Sequence, residues 1–159
     1  VRPQMRHRIA AGTIVVESGS VLMVNHRRPG IYDYWVAPGG GAVGLEGLPA
    51  TAARETLEET GLVVEVDRLA YVEEMASPEY RQIKFWYLAR AVGGAIRQPS
   101  PQARAEHIID VQFLTRNELR ERQVFPVVLS EDFWSHLENG LAVPQYLGVR
   151  EVVTNEFAV

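Results

Sequence analysis

Two short runs of apolar residues lie near the start of the chain. Residues 13–16 and 21–24 are separated by residues 17–20, whose serines and glycine are typical of a tight turn. Both runs are apolar at successive positions, a pattern typical of strands that are covered on both faces. The sequence therefore predicts a β-hairpin within residues 9–24 that is buried between two layers.

Longer strands are predicted at residues 63–75 and 83–92. In the second of them, Lys84 and Trp86 alternate with more apolar residues, so one face is the more polar. The glycines and prolines of residues 93–101 indicate an exposed loop. A further strand is predicted at residues 106–114.

The last part of the chain predicts two short helices. The spacing of Thr115 and Glu118 forms a capping box, and we expect the helix that it opens to end at Pro126. Residues 130–139 carry their large apolar residues on one side and are followed by Gly140, which predicts a second helix. The residues beyond it are compatible with an edge strand or with a loose tail. The basic residues at positions 2, 6, 7 and 8 are expected to form an N-terminal tail that is frayed or loosely docked.

A third helix, in the middle of the chain, concentrates acidic residues on one side. Pro49 suits its first turn and Gly61 suits its end. We expect residues 50, 53 and 57, which are Ala, Ala and Leu, to form the stripe that packs on the sheet. Glu55, Glu58 and Glu59 have the spacing i, i+3 and i+4 and therefore share the opposite side.

Like charges at this density destabilise a helix unless a ligand compensates for them. Mg²⁺ and Mn²⁺ prefer oxygen ligands, which are commonly a few carboxylates completed by water and substrate phosphate. The three glutamates therefore favour a site for a divalent cation. The alternative is an ordinary solvated face on which Arg54 is a surface ion-pair partner.

The helix belongs to a longer pattern, Gly-x5-Glu-x7-Arg-Glu-Thr-x-Glu-Glu-x-Gly-Leu, over residues 40–62. This pattern resembles the signature box of the Nudix hydrolases. Thr56 departs from it, since the family generally has an aliphatic residue there, and we expect this to affect local packing only. The fixed positions that agree are Gly40, Glu46, Arg54, Glu55, Glu58, Glu59 and Gly61.

The resemblance implies an α/β fold, the Nudix-type α/β/α sandwich with a mixed sheet between helices, formed by a single domain over residues 1–159. It also implies hydrolysis of a diphosphate linkage with Mg²⁺ or Mn²⁺, in which water attacks phosphorus in line. Arg54 would orient the carboxylates together with Glu46, and Glu55 is the candidate base, with Glu59 beside it. The implied metal ligands are the Gly40 carbonyl, Glu55, Glu58, Glu59 and Glu106, with Asp110 as the alternative to Glu106.

Residues outside the box are candidates for substrate contacts. Arg27 and Arg28 follow a predicted strand and would meet a substrate phosphate, although they also fit an ordinary charged loop. Trp35 is expected in the core. The glycines at positions 39–41 would let the backbone approach a ligand closely.

The segment between the two long strands bears on the substrate. Ser77-Pro78 is similar to a motif of the family's ADP-ribose pyrophosphatases, which favours ADP-ribose or another nucleotide sugar. Tyr80 is similar to a tyrosine of the diadenosine polyphosphate hydrolases, and both residues also fit an ordinary turn. A nucleoside triphosphate pyrophosphohydrolase remains an alternative. So does a Nudix-like module that binds nucleotides without cleaving them.

The composition of the chain excludes several other classes of protein and of catalytic site. The chain has no cysteine, which excludes a disulfide scaffold, a thiolate nucleophile and a cysteine zinc site. The formal net charge of −4 gives no reason to expect a nucleic-acid polymer as partner, and no apolar run is long enough for a membrane span. We therefore expect a cytoplasmic protein with a small nucleotide substrate. A homodimer is left open.

Overall fold

Strand β1 lies at the centre of the computed structural model, which describes residues 4–152. The described residues form nine strands, joined in the order β8-β3-β2-β1-β6-β5-β9, with β4 paired to β1 and β7 paired to β2. The strands are β1 (Arg6–Glu17), β2 (Ser20–Arg28), β3 (Tyr32–Val36), β4 (Gly39–Gly41), β5 (Leu62–Ser77), β6 (Tyr80–Gly94), β7 (Ile108–Thr115), β8 (Val124–Phe125) and β9 (Gln145–Glu151).

Four α-helices and one 3₁₀ turn accompany the sheet. They are α1 (Leu48–Thr60), α2 (Pro101–Ala105), α3 (Arg116–Glu121), the 3₁₀ turn Val127–Ser130 and α4 (Phe133–Glu138). In the described part of the chain, no helix is long and apolar enough to cross a lipid bilayer.

The sheet is mixed, as predicted. Strand β1 runs parallel to β6 and antiparallel to β4, and it meets β2 only at the hairpin end. Both of its faces are covered. Ile14 packs in a cluster with Trp86 and Phe133. Val15 packs in a second cluster with Leu22, and the partly buried Ala53 of α1 packs against that second cluster. Because adjacent strand residues point to opposite faces, helices cover both sides of the sheet and produce the predicted layered arrangement.

Helix α1 has the predicted ends but not the predicted buried face. Gly61 is left-handed (φ 84°) and donates its N–H to the Leu57 carbonyl. Leu57 is 41% exposed and Ala50 is exposed as well, so the stripe expected at residues 50, 53 and 57 was wrong at two positions, whereas Ala53 is partly buried and packs on the core as expected. The face that packs on the sheet instead carries Thr51, Ala52, Thr56 and Thr60. Threonine is tolerated there because its hydroxyl is paired: Thr56 Oγ1 lies 2.7 Å from Thr13 Oγ1.

Several boundaries also differ from the sequence-based expectations. Helix α3 has its predicted capping box but ends at Glu121, and strand β8 lies between it and Pro126. The helix predicted over residues 130–139 is present but shorter, because α4 covers only Phe133–Glu138 and Ser130 ends the 3₁₀ turn. Helix α2 begins at Pro101, where the expected loop ends, and the glycine run forms β4.

The two ends of the described chain are strands. Residues 6–8 are not a frayed tail, because they begin β1 and pair with β6; Arg2 lies outside the described residues. At the other end, β9 is an edge strand parallel to β5, and residues 153–159 lie outside the described part.

Candidate active site

Arg54 holds the acidic side of α1 together. Its guanidinium binds both oxygens of Glu46, with Nη2–Oε1 at 2.7 Å and Nε–Oε2 at 3.0 Å. Its Nη1 donates to Glu55 Oε1 at 2.9 Å and to Glu58 Oε2 at 3.1 Å. Nη2 also donates to the Gly41 carbonyl at 3.1 Å. One planar, permanently charged group therefore fixes the orientation of three carboxylates and of the glycine strand.

Glu46 is held almost entirely by hydrogen bonds. Besides the Arg54 contacts, its Oε1 accepts from the Val43 N–H at 2.9 Å and from the Thr51 hydroxyl at 3.0 Å. The hydrogen bonds from Arg54, followed by that from the Val43 N–H, lower the pKa of Glu46 to about 2. Glu46 is thus a fixed anion whose position depends on Arg54.

A cavity of about 340 Å³ opens beside this network. Its lining contains the acidic residues Glu55, Glu58, Glu59 and Glu106, together with Gly40. A side chain at position 40 would displace the Glu55 carboxylate, because a Cβ there would lie 2.5 Å from the Glu55 Cδ. The metal ligands predicted from the sequence therefore line one cavity, and within it the Gly40 backbone packs against the Glu55 carboxylate.

Glu59 is held against the glycine strand β4. Its Oε1 accepts from the Gly39 N–H at 3.1 Å. Burial is the largest cause of a raised pKa, about 8, to which the charges of Glu55 and Glu58 add and which Lys84 opposes. The ionised form of Glu59 is therefore disfavoured unless positive charge lies beside it, and Lys84 supplies part of that charge.

The donor set fits a divalent cation. Its members are hard oxygen donors, and a cation beside Glu59 would favour the ionised carboxylate that burial disfavours. The described residues do not, however, include three or more acidic or histidine side chains already gathered around one point. Glu55 and Glu58 are instead oriented by Arg54.

A family model, that of the NUDIX domain, matches residues 5–130. The chain belongs to the NUDIX family. It is an enzyme, a pyrophosphohydrolase of the NUDIX class, and NUDIX hydrolases generally use a divalent metal and act on small nucleotides. The family predicted from residues 40–62 is confirmed.

Solved NUDIX structures share the fold of the chain. A NUDIX hydrolase from Nitrosomonas europaea has a TM-score of 0.72 at 20% identity, over 91% of this chain and 79% of that one. A UDP-X diphosphatase has a TM-score of 0.68 at 20% identity, over 91% and 68%. An ADP-ribose pyrophosphatase from Streptococcus suis has a TM-score of 0.59 at 17% identity, over 90% and 98%. These likenesses confirm the fold class, and a comparison with curated protein sequences gives no match.

The substrate-contact candidates lie away from this NUDIX cavity. Arg27 pairs with Asp33 at 3.7 Å, and both side chains are more than half exposed. Tyr80 stands at the β5–β6 turn, with the Arg6 guanidinium carbon 5.4 Å from its ring centroid. Neither residue, nor Arg28, belongs to the described lining.

The two candidates for a further acidic metal ligand, Glu106 and Asp110, differ in their position relative to the cavity. Glu106 follows α2 and lines the cavity. Asp110 instead accepts from the Val111 N–H at 2.8 Å and from Gln112 Nε2 at 2.6 Å. The lining does not include Asp110.

Sequence reasoning missed the residues that the β5–β6 hairpin contributes. Gln82, Lys84 and Trp86 lie at alternate positions on β6, and all three are buried in the wall of the cavity. Burial lowers the pKa of Lys84, whose Nζ stands 4.2 Å from the Trp86 ring centroid. Polar residues within an otherwise apolar strand were the available signal. Arg8, His26 and Glu73 are further lining residues that it missed.

Proposed function

We propose that this NUDIX enzyme is a Mg²⁺-dependent (or Mn²⁺-dependent) pyrophosphohydrolase that cleaves the diphosphate linkage of a nucleoside diphosphate derivative. The observation that carries the proposal is the composition of one cavity. Glu55, Glu58 and Glu59 line it together with the aromatic residues Tyr34 and Trp86. Carboxylates beside apolar rings suit a ligand that is a phosphate at one end and a planar base at the other.

Glu55, Glu58, Glu59, the Gly40 carbonyl and Glu106 would hold the cation. When bound there, it supplies positive charge that neutralises the diphosphate and the charge that develops during its cleavage. The protein itself orients these groups. Arg54 positions Glu55 and Glu58 through its Nη1 hydrogen bonds, and Glu55 is the proposed base that accepts a proton from the attacking water.

The size of the cavity supports a substrate with one nucleoside. About 340 Å³ is at the lower end of the range for small-molecule sites, which favours a single nucleotide unit over a dinucleoside polyphosphate. Ser77-Pro78 keeps ADP-ribose or a related nucleotide sugar as the first candidate. Nucleoside triphosphates are the second candidate, because the same cavity would accept their single base.

The test is hydrolysis of a substrate panel with product identification. The panel contains ADP-ribose, UDP-sugars, diadenosine polyphosphates and ordinary and oxidised triphosphates, each with Mg²⁺ and with Mn²⁺. Release of AMP and ribose 5-phosphate from ADP-ribose supports the first candidate, and release of pyrophosphate from a triphosphate supports the second. Absence of hydrolysis with every compound and both metals would overturn the proposal.

A further inference from the structure

The inner wall of the cavity is one face of the β5–β6 hairpin. Met75 on β5 is the strand partner of Gln82 on β6, and Glu73 is the partner of Lys84. Lys84 marks the glycine end of this wall, because a Cβ on Gly39 would lie 3.0 Å from its Cε. Gln82 is two residues along the strand from Lys84, a distance of about 7 Å.

Gln82 is the unexplained polar group of this wall. It is only 4% exposed, and its Nε2 donates to the Met75 sulfur at 3.7 Å. Its Oε1 is buried and accepts no hydrogen bond from any residue within 4–152. A buried amide carbonyl without a donor is unfavourable, so its presence at a cavity wall points to a donor from a ligand.

The Met75 sulfur fixes which end of the Gln82 carboxamide is paired within the protein. A thioether is only a weak acceptor, so it can be paired by the NH₂ group and not by the carbonyl oxygen. The carbonyl oxygen of Gln82, a residue of the cavity lining, is therefore the end left without a partner among residues 4–152.

We propose that Gln82 determines specificity by accepting a hydrogen bond from an N–H group of the substrate's nucleobase. This inference rests on the proposed function, which places the phosphates at the glutamates. An acceptor about 7 Å beyond Lys84 is too far along the wall to serve the phosphate end and stands where a base edge would lie. Phosphate oxygens offer no donor, and a ribose hydroxyl would donate equally in the two substrates compared below. Adenine would use its 6-amino group, and a base without an N–H would leave the Gln82 carbonyl unpaired.

The experiment compares two substrates that differ in one amino group. ADP-ribose is paired with its analogue in which unsubstituted purine replaces adenine, and if triphosphates prove to be the substrates, ATP and purine riboside triphosphate replace them. We expect the wild type to prefer the amino compound at least tenfold in kcat/KM, mainly through KM. Gln82→Met, which has a similar shape and no polar atom, should abolish the preference. Gln98→Met, at an exposed glutamine outside the lining, should retain it.

Two further measurements separate the possible failures. If no compound is hydrolysed, the proposed function fails, but calorimetric binding of ADP and of purine riboside diphosphate still tests Gln82. Equal affinities in the wild type, or a preference that survives in Gln82→Met, would overturn the inference. The unfolding midpoint of Gln82→Met should equal or exceed that of the wild type, since an unpaired buried carbonyl is removed. A lost preference in a destabilised variant would count against the specific role.

Discussion

The Arg54 guanidinium and the Glu46 carboxylate, eight positions apart, meet in a two-pronged contact at 2.7 and 3.0 Å. The same guanidinium reaches two proposed metal ligands, Glu55 at the next position and Glu58 one turn along α1. Glu46 thus acts on the cavity through Arg54. Loss of the planar, forked geometry should matter even where the charge is kept.

Arg54→Lys should therefore lower kcat/KM by about 10- to 100-fold, the range found when groups that orient metal ligands are replaced. The lysine keeps the positive charge but cannot bind Glu46 at two points while also holding Glu55. Titration of activity with Mg²⁺ checks the prediction, and the Mg²⁺ concentration for half-activation should rise. Arg90→Lys, at an exposed pair with Glu65, is the control. Equal activation curves for wild type and Arg54→Lys would contradict it.

Glu58→Gln and Glu59→Gln should each reduce kcat by about a thousandfold or more, since several kcal/mol of transition-state charge stabilisation depend on the metal. Folding should change little, which is checked by the unfolding midpoint. Glu65→Gln is the matched control, because this glutamate is exposed and outside the cavity. Near-wild-type turnover in either site variant would reject these residues as ligands.

Gly40→Ala tests the contact between the glycine strand and the acidic helix. The added Cβ would lie 2.5 Å from Glu55 Cδ, so this carboxylate must move. A displacement of about 1 Å can cost about 100-fold in rate, and we expect a loss of kcat of about that size. Gly47→Ala is the control, since its Cβ would meet nothing closer than 3.9 Å. If the two variants have the same kcat, the close packing of Gly40 on Glu55 is irrelevant to catalysis.

The residues that could be predicted from the sequence are those whose signals are local. Pro49 and Gly61 delimit α1, and the spacing of Glu55, Glu58 and Glu59 places them on one side, because helix geometry depends on neighbouring residues only. The family pattern added Gly40 and Arg54: Gly40 and the three glutamates line the cavity, and Arg54 is bonded to Glu55 in that lining.

The buried face of β6 and the packing face of α1 depend on which elements pack together in the fold. The sequence of one strand or helix does not contain that information. Gln82 and Lys84 were missed because the more polar face of β6 proved to be the buried wall of the cavity. The packing face of α1 was wrong because Thr56 finds its partner, Thr13, 43 positions away. Pro126 does not end α3, because β8 pairs with β3 before it.

The Thr13–Thr56 pair offers a test of that packing. Both residues are fully buried, their hydroxyl oxygens are 2.7 Å apart, and Thr56 also donates to the Ala52 carbonyl at 2.7 Å. Thr56→Val should reduce the free energy of unfolding by about 1–2 kcal/mol, because it leaves the Thr13 hydroxyl buried without this partner. The double variant Thr13→Val/Thr56→Val should lose less than Thr56→Val alone. Denaturant unfolding of Thr56→Val, Thr13→Val and the double variant checks this, and a double variant whose loss equals the sum of the two single losses would show that the pair is not coupled.

His26 should make the protein sensitive to mild acid. Burial, with smaller contributions from the charges of Lys84 and His107, lowers its pKa from 6.5 to about 4. His26 therefore binds a proton below pH 6.5 in the unfolded chain but only below about pH 4 in the folded protein. Because the unfolded state binds more protons between these two pH values, the free energy of unfolding falls as the pH falls through this window. From pH 7 to pH 5 the loss from this residue is about 2 kcal/mol.

His26→Phe keeps a ring for the stack on Tyr34, whose centroid is 5.2 Å away, but cannot titrate. Denaturant unfolding of both proteins at pH 7 and pH 5 should show that the variant loses about 2 kcal/mol less than the wild type, and equal losses would mean that His26 is protonated equally well in the folded protein.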